Sequence, residues 1–156
     1  MKKQNKLDKK RKREGKTNYT KRLRLLQGGH SRLVIRKSAR YITLQVVNSN
    51  KAQDNVLYTV STKDLLSCGW PKEKQGSLKS LGAAYLTGFL LAKRMKKGNL
   101  ILDSGLIPHT KGSRLYAAVK GIADGGVTIP FDEAVVPDKK RIEKDSFFNT
   151  VKGGIK

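Results

Sequence analysis

The chain has 156 residues and carries 34 Lys and Arg against 12 Asp and Glu, a formal net charge of +22. The length suits one domain with a real core plus a tail; the charge opposes compaction and exceeds what an ordinary soluble enzyme needs, so a polyanion (RNA, DNA or an acidic membrane surface) is the implied partner. The single cysteine, Cys68, excludes an intramolecular disulfide and a cysteine-based zinc site, and it fits a reducing compartment.

Residues 1–27 read as a basic arm ending in a short helix. Up to Arg24 it holds twelve Lys and Arg against Asp8 and Glu14, and Leu7 is the one aliphatic residue between Met1 and Leu23. Such a segment cannot offset its ordering entropy by burial and is expected to lack structure when free. No apolar stretch follows the basic start, so no signal peptide is expected. From Tyr19 the spacing of Tyr19, Leu23 and Leu26 predicts a helix, capped by Thr17 or Asn18 and ended by Gly28-Gly29.

Residues 28–136 read as the folded body. Strands are predicted at Arg32–Lys37, Tyr41–Val47 and Val56–Val60, with Asn48 to Asn55 as a polar turn region. Ile42, Leu44 and Val46 alternate with Thr43 and Gln45, and the short connections favour an antiparallel meander. Thr62 to Leu66 reads as one helical turn capped by Thr62, and Trp70 as tucked into the core edge. Ser77 to Lys97 is the dominant helix: Leu78, Leu81, Tyr85, Phe89, Ala92 and Met95 recur at steps of three and four, and Leu86, Leu90 and Leu91 widen the stripe. Ser77 is read as its N-cap and Gly98 as the residue that ends it. Gly82 and Gly88 would each weaken an isolated helix by roughly 1 kcal/mol, and close packing against the sheet is the expected reason for them. Asn99 to Leu102 is read as a short, fully buried strand. A second amphipathic helix is predicted over Ser113 to Asp124, with Leu115, Val119, Ile122 and Ala123 inward, followed by an extended Val127–Pro130. In the tail, residues 137–156, Asp138 is a candidate cap and Phe147-Phe148 a pin onto the body. The run Leu81–Ala92 is too short for the ~20 apolar residues of a membrane span.

The fold class expected is α/β: a three-stranded antiparallel meander plus a further strand, the sheet packed on two main helices, with a basic N-terminal arm. This order is like that of ribonuclease H sheets without their active site, because the strands lack the clustered carboxylates that hold two metal ions. Other catalytic arrangements are equally unsupported. Asp103, Ser104 and His109 lie close in sequence but without a Gly-x-Ser-x-Gly elbow. Lys111-Gly112-Ser113 does not follow the order of a nucleotide-binding phosphate loop, although it could hold a nucleic-acid phosphate at the start of a helix. His30 and His109 have no companion ligands. Neither a metal nor a cofactor is expected, nor a small-molecule substrate or a membrane role.

Several segments together resemble one family. They are Gly15-Lys16-Thr17-Asn18-Tyr19 with Arg22-Leu23 and Leu25-Leu26, Arg32 to Ser38, Gly69-Trp70, Ala83 to Gly88, Leu102 to Leu106, Lys111 to Arg114, and Lys120-Gly121. In this order, from Gly15 to Arg141, the chain resembles the large-subunit ribosomal proteins that bind 5S ribosomal RNA (universal large-subunit protein eighteen), in their archaeal form. The resemblance implies a non-catalytic α/β body in the cytoplasmic large ribosomal subunit, which helps attach 5S to 23S ribosomal RNA in the central protuberance, beside other ribosomal proteins. Carried over by position, it implies RNA-facing roles for Arg13, Lys16, Thr17, Asn18, Tyr19, Arg22 and Arg24; for Arg32, Arg36, Lys37 and Arg40; and for Lys111, Ser113 and Arg114. The C-terminal part looks shorter than is usual for archaeal members. The residues alone also allow an architectural nucleic-acid-binding protein unconnected with the ribosome.

Overall fold

The computed structural model describes residues 7–50 and 53–155; Lys2, Lys3 and Lys6 of the arm lie outside them. Its sheet has four strands, β1 (Arg32–Lys37), β2 (Ile42–Asn50), β3 (Gln53–Ser61) and β4 (Ile101–Asp103), in the order β3-β2-β1-β4. The first three pair antiparallel in chain order, and β4 lies parallel to β1. Register follows the period-two pattern: Leu33 faces Val46 and Ile35 faces Leu44, all four buried. The helices are α1 (Lys10–Arg13), α2 (Tyr19–Gln27), α3 (Leu81–Met95), α4 (Arg114–Asp124), α5 (Lys139–Ile142) and α6 (Phe148–Gly154). Among the described residues no helix is long and apolar enough to cross a membrane.

Several boundaries differ from the sequence reading. The hairpin ladder runs on through Asn48↔Asn55, Ser49↔Asp54 and Asn50↔Gln53, where a polar turn was expected. Ladder bonds belong to the backbone, so polar side chains do not end a strand that projects past the core; residues 51–52, which join the two strands, lie outside the described set. On this projecting part of β3, Val56, Leu57 and Tyr58 are exposed. The helical turn after β3 is a 3₁₀ helix, Thr62–Cys68, capped by Ser61 in a reciprocal box with Asp64 rather than by Thr62. Thr62 is buried instead, its hydroxyl accepting from the Ile42 amide at 3.2 Å.

The dominant helix begins at Leu81, not after Ser77. Lys72–Ser77 forms a separate 3₁₀ helix, and the hydroxyl of Ser80 accepts from the Ala83 amide. Its last turn is closed by Lys96 at φ 65°, a left-handed conformation unusual for a residue with a side chain, and not by Gly98. The helical glycines serve helix–helix contact rather than the sheet. A Cβ on Gly88 would overlap the Ala118 carbonyl of α4, and one on Gly121 would overlap the Tyr85 carbonyl of α3. A Cβ on Gly82 would sit 2.8 Å from the Ile142 carbonyl of α5. With α4 this close, α3 is covered on one side by the sheet and on the other by α4. Leu86, Leu91, Leu44, Val46 and Val119 are all fully buried, each worth roughly 1.5–3 kcal/mol of apolar transfer.

The strand expected at Asn99–Leu102 is shifted: β4 is Ile101–Asp103 and only half-buried. Asn99 instead forms a parallel bridge with Thr128, in the predicted extended piece, with Leu100 N to Thr128 O at 2.9 Å. In the tail, Phe147 packs edge-on against Trp70 with ring centroids 4.8 Å apart, and Ile142, Phe148, Val151 and Ile155 join the core.

Candidate nucleic-acid interface

The arm supplies the first wall of the site. Its residues 10–13, expected to lack structure, form the single turn α1, flanked by the arm's two acids. Asp8 pairs with Lys12 at 2.8 Å and Glu14 with Lys16 at 2.8 Å. Both pairs are exposed and each is worth at most about 1 kcal/mol. Asn18 caps α2, its Oδ1 accepting from the Lys21 amide at 3.0 Å. Thr17 receives a hydrogen bond from Arg11 Nε at 3.0 Å. The stripe that faces the body is Lys21, Leu25 and Leu26; Leu23, expected to pack, is exposed.

Two side chains dock α2 by polar contacts. Lys21 Nζ donates to Ser104 Oγ at 2.8 Å, and Arg22 Nη2 pairs with Asp54 at 2.7 Å. Beneath the second contact lies Arg32, 1 % exposed. Its guanidinium pairs with Asp103 at 2.7 Å and Asp54 at 2.8 Å, and donates to Ser49 Oγ at 2.9 Å; Nε is left without a partner. Arg32 is therefore not an RNA-facing residue as expected: it is a buried strut joining β1, β2, β3 and β4. Burial works to raise the Asp54 pKa, but the Ser49 hydroxyl, Arg22 and the charge of Arg32 outweigh it and hold the carboxyl below the ordinary range.

Asp103, Ser104 and His109 do not form a triad. Ser104 Oγ lies 2.8 Å from His109 Nε2, but His109 Nδ1 faces the Tyr116 hydroxyl at 2.9 Å, while Asp103 is taken up by Arg32. Ser104 is 1 % exposed, and its hydroxyl is engaged by Lys21 and His109. The chain Lys21–Ser104–His109–Tyr116 ties α2 to α4. Among the described residues no group of His, Cys, Asp or Glu is arranged to hold a metal.

These struts place a groove between α2, β1 and the loop after β4. Lys16, Thr17, Asn18 and Arg22 line one side, Arg36 and Lys37 the floor's end, and Ser104 to Ile107 the other side. Six of the fourteen candidates thus converge. A second cleft continues past Lys37 to Ser113 and Arg114. Lys111 is exposed beside it, and Arg13 and Arg24 are exposed on α1 and α2 without lining either space. Tyr19 is half-buried with Lys9 Nζ 4.9 Å from its ring centre, which takes up a face that could have stacked on a base. Arg40 stands apart, in a cleft with Tyr41, Gln75 and Lys79. The sequence reading missed Arg11 and Lys21, which line the groove, and Arg141, which reaches the second cleft from α5. Nothing in the sequence signalled Arg141, whose Nη1 lies 3.1 Å from where a Cβ on Gly112 would stand.

Residues 3–100 match the family described as "Ribosomal large subunit proteins 60S L5, and 50S L18". The large ribosomal subunit protein uL18 of Korarchaeum cryptofilum is 47% identical over 135 residues, covering 85% of this chain and 67% of the relative. The uL18 of Methanothrix thermoacetophila is 43% identical over 135 residues, 85% of this chain and 78% of the relative. That of Methanococcoides burtonii is 38% identical over 148 residues, 92% of this chain and 82% of the relative. A match over more than half the chain, together with identities this high over most of its length, places it: the chain belongs to the family of large-subunit ribosomal proteins 60S L5 and 50S L18.

Proposed function

We propose that this chain, by family a structural constituent of the large ribosomal subunit and not an enzyme, binds 5S ribosomal RNA and helps attach it to 23S ribosomal RNA. The observation that carries the reading is the convergence of Lys16, Arg22, Arg36 and Lys37 on one groove, on a chain of net charge +22. Lys and Arg there displace counterions from phosphates, which supplies affinity and a steep salt dependence. Residues 1–27 act as the arm that wraps the RNA, residues 28–136 as the mount, and residues 137–156 as a brace on the mount. The exposed candidates Arg13, Arg24, Lys111 and Arg114 extend the contact beyond the groove. A ribonuclease H-like body is supported by the strand order and by Thr128 running parallel to Asn99 beyond β4. Its carboxylates serve Arg32 instead of metal ions.

The test is competition. Labelled archaeal 5S ribosomal RNA bound to the purified chain is challenged with unlabelled 5S RNA and with duplex DNA of equal length, at moderate salt. The 5S RNA is expected to compete far better. Equal competition would reduce the function to unspecific polyanion binding.

A further inference from the structure

The second cleft differs in kind from the groove. Its volume is about 290 Å³, just below the roughly 300–1,000 Å³ usual for small-ligand sites and close to the groove's 340 Å³; what sets it apart is its lining. Ile35, Ile42, Leu81 and Leu115 make an apolar floor, and Lys37, Arg114 and Arg141 a cationic rim. No carboxylate lines it. Ser113 lies at the start of α4 with its hydroxyl buried and without a hydrogen-bond partner, although its position is that of a helix cap. The loop before it is fixed by Gly112 N donating to the Val135 carbonyl at 2.9 Å. Ile35, Lys37 and Ile107 line both spaces, so the cleft opens from the groove without a break.

We infer that the cleft receives a single unpaired nucleotide of the bound RNA, its base on the apolar floor and its phosphate at the rim. This rests on the RNA-binding reading above. A phosphate alone would leave the apolar floor uncovered, and an acidic side chain would not fill it. An unstacked base offers an apolar face, and its own phosphate matches the rim. The cleft would then read the RNA at a bulge or loop, where a base is free to leave its stack, and would fix the register of the groove's phosphate contacts.

Thr110 is exposed at the mouth of the cleft and forms no part of the core. The full chain and a Thr110→Trp variant are bound to archaeal 5S ribosomal RNA and probed with reagents specific for each base, and separately with hydroxyl radicals for the backbone. With the wild type, at least one base that is reactive in the free RNA is expected to be protected. Thr110→Trp should return that base to its free reactivity and raise Kd, with backbone protection along the groove retained. Arg141→Ala, an exposed change away from the core, should weaken protection of the same nucleotide. Identical base reactivity with wild type and both variants, on top of intact groove protection, would overturn the inference and leave the cleft to a phosphate or to a neighbouring protein. Absence of all protection by the wild type would instead defeat the RNA-binding reading, and this inference with it.

Discussion

Between Leu81 and Ala92, α3 has no charged residue and is buried over nearly its whole length. The groove bounded by α2, β1 and the loop after β4 is lined by six cationic side chains and one carboxylate, Asp103. The two regions are held by different forces. Around α3, glycine lets backbones touch and apolar side chains fill the space between helix and sheet, so geometry is strict and charge is kept to the margin, as where the Asp124 carboxylate accepts from the Tyr85 hydroxyl at 2.8 Å. Along the groove the cations stay in water, spaced by a few buried polar struts, so their repulsion is relieved by solvent until a polyanion arrives. The excess charge is tolerated because it is kept off the part that folds.

Arg32 tests that boundary most sharply, since by residue type it belongs with the groove and by burial with the core. Arg32→Ala should cost about 3–5 kcal/mol of stability, because Asp54 and Asp103 lose the partner they share. Chemical denaturation would measure it, and the salt slope of RNA binding by the folded variant should not change. Removal of residues 1–17, which leaves α2 and its cap Asn18, should do the reverse. RNA affinity should fall by roughly 10²- to 10³-fold while the melting temperature barely moves; equal binding by the shortened chain would refute the arm's role.

Next in size is Gly88→Ala. The added methyl meets the Ala118 carbonyl, and forcing α3 from α4 should cost about 1–3 kcal/mol or more. A melt equal to wild type would show that the two helices are not held at backbone contact. Arg36→Ala with Lys37→Ala should leave stability within about 0.5 kcal/mol and lower the slope of log K against log salt by roughly 1–2. An unchanged slope would move the contact off β1. The smallest effect is on pH. Because the Asp54 carboxyl is held below its ordinary value of 3.8, its contribution to stability is complete above that value and is lost as the pH falls through the lower folded-state value. Thermal melts at falling pH should therefore decline less steeply for Asp54→Asn than for wild type.

What could be read from residues was what repeats along the chain. The apolar run Leu33-Val34-Ile35 between basic residues and the turn after Lys37 gave β1 its limits, and the 3.6-residue stripe from Leu115 to Ile122 placed α4 to within a residue. Features that depend on distant partners were not visible. Arg32 looks like any basic strand residue until Asp54 and Asp103, 22 and 71 residues away, close on it. Gly88 shows that something comes close, but not that the visitor is Ala118 rather than the sheet. Ser77 and Ser80 are both capping residues followed by apolar ones, and only the intervening 3₁₀ helix decides between them. The RNA candidates were legible as charge in the arm and on β1. Arg141 was not, because it comes to the site from the far end of the chain.

The most direct measurement is mapping of protein–RNA crosslinks in intact large ribosomal subunits. Crosslinks to 5S ribosomal RNA are expected from Lys16 to Arg22, from Arg36 and Lys37, and from Lys111 to Arg114. Crosslinks to 5S RNA confined to Lys93, Lys97 or Lys152, around α3 and α6 and lining neither the groove nor the second cleft, would contradict the account.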